Sequence, residues 1–151
     1  MATFQLYGKF GANVLGGEAG ADAFQMDYLS DTIKATLHTS TYTPNIDTDE
    51  VKADATNELT TANGYTAGGQ ALTTKTVSYN ATGNVTTFSA DDFSWTASGG
   101  SLVFRYVVFW DDTIASDPLI GYIDAGAQTV ADGNTFTVDI TAAGLFTATV
   151  S

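Results

Sequence analysis

Threonine alternates with apolar side chains along much of the chain, as expected for strands that bury one face. Within Thr32–Thr39, one face carries only Ile, Ala and Leu, and the other carries Lys34, Thr36 and His38. The same alternation predicts a set of short strands, at Thr3–Phe10, Thr32–Thr39, Thr76–Tyr79, Val85–Phe88, Asp92–Thr96, Leu102–Trp110, Pro118–Asp124, Thr135–Ile140 and Leu145–Val150.

One of these segments, Leu102–Trp110, is almost continuously apolar, which predicts a central strand covered on both faces. Turns are predicted at Gly126, at Asp132-Gly133-Asn134 and at Gly144, which separate the later strands. Short strands with glycine turns are typical of sandwiches and jelly rolls. The sequence therefore predicts an all-β fold, a single antiparallel β-sandwich or jelly-roll-like domain over residues 1–151, with one short helix.

That helix is predicted within Asp49–Leu59, where apolar residues recur at helical rather than strand spacing. Asp47 and Glu50, three residues apart, have the form of a capping box at its start. A second helical turn is predicted near Ala12–Leu15, inside a Gly/Ala-rich section at about residues 11–23. We expect this section to be weakly structured alone and to order on contact with a partner.

Composition narrows the function classes. The 151 residues include no cysteine, which excludes disulfides, thiolate metal sites and a thiol nucleophile. The formal net charge is −12, and the five cationic residues are scattered, so we expect no nucleic-acid partner. The sequence shows no evident signal peptide and no apolar run near the ~20 residues that span a bilayer, so we expect no membrane partner.

The loop GYTAGG at 64–69 has the glycine content of a phosphate cradle but not its chemistry. A P-loop needs Lys and Ser or Thr after its last glycine, whereas Gln70 and Ala71 follow here. A dinucleotide site needs a helix after the loop, and this loop precedes a Thr-rich strand. The loop is therefore predicted to turn the backbone, with Tyr65 available for packing or for an inter-chain contact.

The sequence gives little support for a metal site or a catalytic site. Asp47, Asp49 and Glu58 have the spacing of three calcium-loop ligands, but Val51 and Lys52 stand where a ligand and a glycine are needed. A solvated helix face is the better interpretation. His38 is the only histidine, which excludes a His–His metal pair and favours an ordinary surface or edge residue. We expect no metal and no cofactor.

Two aspartate doublets, Asp91-Asp92 and Asp111-Asp112, resemble the paired carboxylates of glycoside hydrolases. Adjacent strand residues point to opposite faces, and both doublets lie at predicted strand ends, which favours turn residues. We therefore expect no enzymatic activity.

Arg105 is the most informative charge, because it interrupts the apolar run of the central strand, on the side of Val107. A buried arginine needs a carboxylate or several carbonyl partners. Two alternatives remain open from the sequence. Arg105 pairs within the chain, with Asp124 or Asp139, or it forms a salt bridge to a neighbouring subunit.

Several segments, taken together and in order, resemble a widespread family of small tailed-bacteriophage virion structural proteins. They cover essentially the whole chain: LYGKF, DTIKATLHTSTYTPNID, TNELTTANGYTAGGQALTTKTVSYN, DDFSW, FRYVVFWDDT, PLIGYIDAG and AAGLFTATV. The chain departs from the pattern at GGEAGADAFQM and at Trp110, where the family usually has tyrosine. The motifs are structural and include no catalytic residues.

The resemblance implies a particle component made in the host bacterial cytoplasm and located in the virion. A capsid decoration (cement) protein on the outer shell is the preferred role, with the phage major capsid protein as partner and a homotrimer as assembly. Interface candidates are Tyr65, Arg105, Trp95 and Trp110. The alternatives are a tail or fibre accessory that binds a carbohydrate receptor through exposed Trp or Tyr side chains, and, least favoured, a glycan-active enzyme.

Overall fold

The computed structural model describes residues 3–14 and 26–149. Within these ranges the chain forms ten strands, one short α-helix and a single 3-10 turn at Lys52–Asp54. In chain order the elements are β1 (Phe4–Leu6), α1 (Phe10–Val14), β2 (Ile33–His38), β3 (Gln70–Ala71), β4 (Thr76–Asn80), β5 (Val85–Ser89), β6 (Phe93–Thr96), β7 (Leu102–Asp111), β8 (Leu119–Val130), β9 (Thr135–Val138) and β10 (Phe146–Thr149).

The strands form three antiparallel sheets. The largest has the order β1-β8-β7-β2-β3, with β7 at its centre. The second has the order β10-β5-β4, and the third pairs β6 with β9. The predicted all-β, sandwich-like fold is confirmed.

The main core lies between the five-stranded sheet and the two smaller sheets. The inward side chains of β2 and β7, which include Ile33, Leu37, Val107 and Phe109, are completely buried there. Aromatic rings join the sheets through the pairs Phe4–Phe146, Phe93–Phe109 and Phe104–Phe136, with centroids 4.8 to 6.0 Å apart. Such pairs each contribute about 0.5–1.5 kcal/mol beyond the area they bury.

The opposite face of the five-stranded sheet is also buried, which the alternating pattern of β2 does not predict. A second apolar cluster covers it, built from Tyr7, Tyr42, Ala55, Tyr106, Val108, Trp110 and Leu119. Tyr42 and Ala55 come from the long connection between β2 and β3, which therefore acts as the cover of this face.

A buried chain of hydrogen bonds attaches this cover. The hydroxyls of Tyr7 and Tyr42 lie 2.6 Å apart, and Tyr42 donates to Asp49 Oδ2 at 2.8 Å. Burial raises the pKa of both phenols well above the usual value, so both remain protonated and able to donate. The first strand is thus tied to the connection after β2.

The predicted helix within Asp49–Leu59 is wrong apart from the 3-10 turn. Val51 forms a bridge to Pro118, and Glu58 forms one to His38, so the ends of the segment run along neighbouring strands. Asn57 has a φ of 58°, which no helix accommodates. Asp54, not Asp47, accepts from the Glu50 and Val51 amides. Tertiary pairing overrides the local helical spacing here.

Several strand boundaries differ from the prediction. β1 is shorter because α1 begins at Phe10, and α1 agrees only in part with the predicted turn near Ala12–Leu15. Residues 15–23 of the Gly/Ala-rich section lie outside the described residues. β3 has no counterpart among the predicted strands. β8 continues through Gly126, which has a φ of 70° at an irregularity in the pairing with β7, where a glycine accommodates the bulge.

We predict that Tyr42→Phe destabilises the fold by about 2 kcal/mol, because it removes the hydroxyl that connects Tyr7 to the Asp49 carboxylate. Urea unfolding followed by tryptophan fluorescence measures the change. Tyr79→Phe is the control, since Tyr79 is exposed and bonded only to Asn84, and it should change stability by less than about 0.5 kcal/mol. Equal effects in the two variants would contradict the prediction.

Candidate interaction surface

Tyr65, the first of the four interface candidates, is buried and serves the packing of its own loop. Its hydroxyl donates to Glu58 Oε1 at 2.7 Å and accepts from the Leu37 amide at 3.2 Å. The Gly68 amide also donates to Glu58 Oε1, at 2.5 Å. A carboxylate of the chain thus occupies a donor of the glycine loop, and the loop leads into β3 rather than a helix. The predicted turn role agrees with this geometry.

Gly69 explains the glycines of this loop. Its φ is 68°, and a Cβ built there would lie 1.9 Å from the Ala35 carbonyl oxygen on β2. Only glycine allows this approach between backbones. Gly68, the preceding residue, has a φ of 92° and open space around it. The approach of the loop to β2 therefore requires glycine at position 69. Gly64 has a second such requirement, because its Cβ would lie 2.2 Å from the Thr96 carbonyl oxygen.

Both tryptophans are buried, which corrects the expectation that they are exposed for an interface or for carbohydrate recognition. Trp95 packs in the main core, with its ring stacked 6.5 Å from that of Phe136. Trp110 lies under the ammonium groups of Lys52 and Lys34, at 4.3 and 5.5 Å from the ring centroid. The two rings have no open face to stack on a sugar.

Arg105 is the one candidate at the surface. It forms a bidentate pair with Asp124, with Nε and Nη2 donating at 2.9 and 2.7 Å, so the intramolecular alternative with Asp124 is the one present. Its side chain is 41% exposed, and the premise of a buried arginine is wrong. The pairing of β7 with β8 is irregular between Phe104 and Tyr106, which shifts Arg105 out of the alternation.

The Arg105–Asp124 pair also orders the bulge in β8. The guanidinium holds the pKa of Asp124 below its usual value, and the Gly126 amide donates to the same carboxylate at 2.9 Å. Because both partners are well exposed, the pair contributes little to stability. Its effect is to fix the backbone where β8 bends.

A groove of about 930 Å³ lies between three strand edges. Among residues 3–14 and 26–149, β1 is at one edge of the large sheet, β10 is at one edge of the three-stranded sheet, and β9 has only β6 as its partner. The floor is apolar, and Asp139 is the only charged residue of the lining, which comprises Thr3–Leu6, Ile123, Ala125, Phe136–Ile140 and Ala143–Thr147. Strand edges that no described strand pairs, around an apolar floor, are a site where a further strand can add.

The three-stranded sheet next to this groove is uncharged. No Asp, Glu, Lys or Arg occurs between Thr76 and Ala90 or between Ile140 and Thr149. This gap in the charge pattern is the sequence signal for the surface, and motifs of charged and aromatic side chains do not reveal it. β4, the outer strand of the sheet, is exposed along its whole length.

The cationic side chains have partners within the chain, so the surface potential is dominated by acids. Salt bridges join Lys9 to Glu50, Lys34 to Asp112, Lys52 to Glu58 and Arg105 to Asp124, at 2.7 to 3.4 Å. Lys75 donates to the Asp31 carbonyl. The remaining acidic side chains leave a strongly negative surface outside the uncharged sheet and the groove.

His38 is completely buried, so the prediction of a surface or edge histidine is wrong. Nδ1 donates to the Thr56 carbonyl at 2.8 Å, and Nε2 lies 3.0 Å from the Thr36 hydroxyl. Burial lowers the pKa of His38 below its usual value, which keeps the ring neutral at pH 7. The connection after β2 covers the face that the alternation assigned to solvent, and His38 bonds that connection to the sheet.

The acidic residues do not converge on a metal or a catalytic pair. Among residues 3–14 and 26–149, no three His, Cys, Asp or Glu side chains are grouped so that they would hold a metal ion. Asp91 accepts from Thr74 and Asp92 from the Ile140 amide, at 2.5 and 2.6 Å, as expected of turn residues. The predicted helix face for Asp47, Asp49 and Glu58 is wrong, because no helix forms there.

Asp111 differs from the other acids, because it is completely buried at the end of β7. Oδ1 accepts from the Thr113 amide at 2.8 Å, and Oδ2 has no hydrogen-bond partner within the described part of the chain. Burial, with a smaller contribution from the Asp31 carboxylate, raises the pKa of Asp111 to about 6.

Comparisons with known proteins found no match: no protein-family model, no curated protein and no solved structure resembles the chain significantly. Among the described residues, no helix is long and apolar enough to cross a membrane.

We predict that Gly69→Ala destabilises the protein by at least about 3 kcal/mol, because the new methyl group would overlap the Ala35 carbonyl at a positive φ. Gly68→Ala is the matched control at the adjacent position, where only the backbone conformation opposes the substitution, and it should cost about 1 kcal/mol. Thermal unfolding of both variants measures the difference. The steric argument fails if the two losses are the same.

We predict that the free energy of unfolding rises by about 1 kcal/mol from Asp111 alone when the pH falls from 7 to 5. The folded carboxyl has a pKa raised to about 6, above its unfolded value, so the folded state binds the proton first. Asp111→Asn should remove this rise, and the exposed Asp47→Asn should retain it. Urea titrations at both pH values test this, and an unchanged rise in Asp111→Asn would contradict it.

Proposed function

We propose that the protein is a bacteriophage virion structural protein, and specifically a capsid decoration protein that binds the outer shell as a homo-oligomer and stabilises it. The observation that carries the proposal is an uncharged surface with unpaired strand edges on an otherwise strongly acidic chain. A small domain with this surface is suited to repeated association, and the acidic remainder to a basic patch on a shell protein.

The placement of the family-like motifs supports the same function. DTIKATLH is β2, FRYVVFWD lies in β7, and PLIGYIDAG lies at the start of β8, so the resemblance concerns the three central strands of the large sheet. GYTAGG packs on the edge of β2. The resemblance therefore extends to the framework of the domain, as expected where the shape of the whole domain is the functional property.

The side chains that could take part in acid–base chemistry support a structural role over an enzymatic one. His38 bonds to the Thr56 carbonyl, Tyr65 bonds to Glu58, and His38 and Glu58 form a β-bridge, so all three hold the fold together. The tail or fibre alternative based on sugar stacking loses its main support, since Trp95 and Trp110 are buried.

The proposal predicts that particles stripped of the protein release their DNA at a lower temperature than intact particles, and that re-adding the protein restores the release temperature. Each bound copy would bridge subunits of the intact shell and would not bind the opened shell. Binding therefore stabilises the intact shell and raises the temperature at which DNA is released. Release is followed with a DNA-binding dye during heating, and cryo-electron microscopy of the restored particles locates the protein.

Two results would contradict the decoration role. One is an identical release temperature with and without the protein. The other is density on the tail instead of the shell, which would favour the tail accessory.

A further inference from the structure

We propose that copies of this chain assemble head to tail, with the outer edge of β4 in one copy entering the groove between β1, β9 and β10 of the next. This contact would hold together the homo-oligomer of the proposed function. Only its biological purpose rests on the proposed function. The assembly itself is a property of the purified chain.

The strand that enters the groove, β4, has an edge that is exposed along its whole length. All five residues of β4 are exposed, and β5 is its only strand partner within the described residues. Five extended residues present a row of backbone donors and acceptors about 17 Å long. Val77 and Tyr79, alternating on one face of the strand, are 39% and 63% exposed, which is high for large apolar side chains. Such an edge is usually protected by a charge, a proline or a bulge, and β4 has none of these.

The acceptor is the groove on the other side of the same three-stranded sheet. It is bordered by strand edges that have no second neighbour in the described part of the chain, and its floor includes Phe4, Phe136 and Phe146. β10 borders the groove and β4 is at the opposite edge of that sheet. Donor and acceptor therefore lie on different sides of the domain, so the contact is heterologous, and it closes into a ring if the rotation between copies allows.

Charge identifies a second copy as the occupant. Two copies with a net charge of −12 repel each other over most of their surfaces, so they can approach closely only through uncharged regions. β4 has no charged residue, and the groove lining has only Asp139. A basic segment of another protein would bind more strongly to the acidic surface outside the groove, because most of the groove offers no carboxylate to pair with its cationic side chains.

The experiment places one lysine on each side of the proposed contact. Ser78→Lys lies at the middle of β4, and Thr137→Lys lies at the groove on β9. The matched controls are Thr82→Lys in the turn of the β4–β5 hairpin and Thr129→Lys on β8 outside the groove, all four positions being exposed. Sedimentation equilibrium measures the mass of each in multiples of the 15.8 kDa chain.

We expect the wild-type chain and both controls to self-associate, and Ser78→Lys and Thr137→Lys to associate at least about tenfold more weakly. A long charged side chain must lose its water in a contact where a short neutral one fitted, and Asp139 is the only carboxylate of the groove lining that could offset this cost. Circular dichroism and thermal unfolding check that each variant is folded. If Thr137→Lys does not fold, Gln5→Lys on β1 tests the groove instead, since Gln5 is exposed and lines it.

Mixing the two deficient variants tests the head-to-tail geometry. Ser78→Lys retains an intact groove and Thr137→Lys an intact β4, so one undamaged contact per pair should yield heterodimers that grow no further. A monomeric wild type, association unaffected by either lysine, or a mixture that stays monomeric would overturn the proposal. Particle binding distinguishes the two proposals: failure of the wild-type oligomer to bind shells contradicts the decoration role and leaves the assembly contact standing.

Discussion

Burial of both faces of the β2–β7 pair is the constraint on which the rest of the structure depends. Six residues of β2 pair with β7, and the side chains on either face of this ribbon are buried. One face requires the two smaller sheets, which supply the aromatic half of the main core. The other face requires the long connection after β2, because Val108 and Trp110 would lie in water without it. The positions of the remaining strands follow from these two requirements.

The cover of the second face is polar where it meets the sheet, and this determines the chemistry of the molecule. The bonds from His38 to Thr56 and from the Leu37 amide to Tyr65 attach the connection to β2. The bond between Tyr42 and Tyr7 attaches it to the residue that follows β1. Each buried donor or acceptor needs such a partner, because an unsatisfied one costs about 1–3 kcal/mol. His38, which the sequence offered as a candidate for metal binding or catalysis, is held in this attachment through its bond to the Thr56 carbonyl.

The strands were predictable where their periodicity is local, and the sites were not. The alternation around β2 and the apolar run of β7 identify both strands, since side-chain burial imposes a period of two. The same alternation wrongly predicts that His38 is exposed. The connection after β2 covers the face on which His38 lies, and the pattern of the strand carries no information about that cover. Val51 and Leu59 have helical spacing, yet pairing with Pro118 and β2 decides their conformation. The sequence left Arg105 with either an aspartate of the chain, Asp124 or Asp139, or a neighbouring subunit as its partner, and the structure pairs it with Asp124.

The order of the strands along the chain has a consequence for biosynthesis. β1 pairs with β8, which is made much later in translation. The groove also needs β9 and β10, which follow β8 along the chain. Contacts between residues so distant in sequence form late in folding, because the intervening chain must first be ordered. The groove therefore exists only after β10 has been made, so nascent chains that have not reached β10 cannot associate through it.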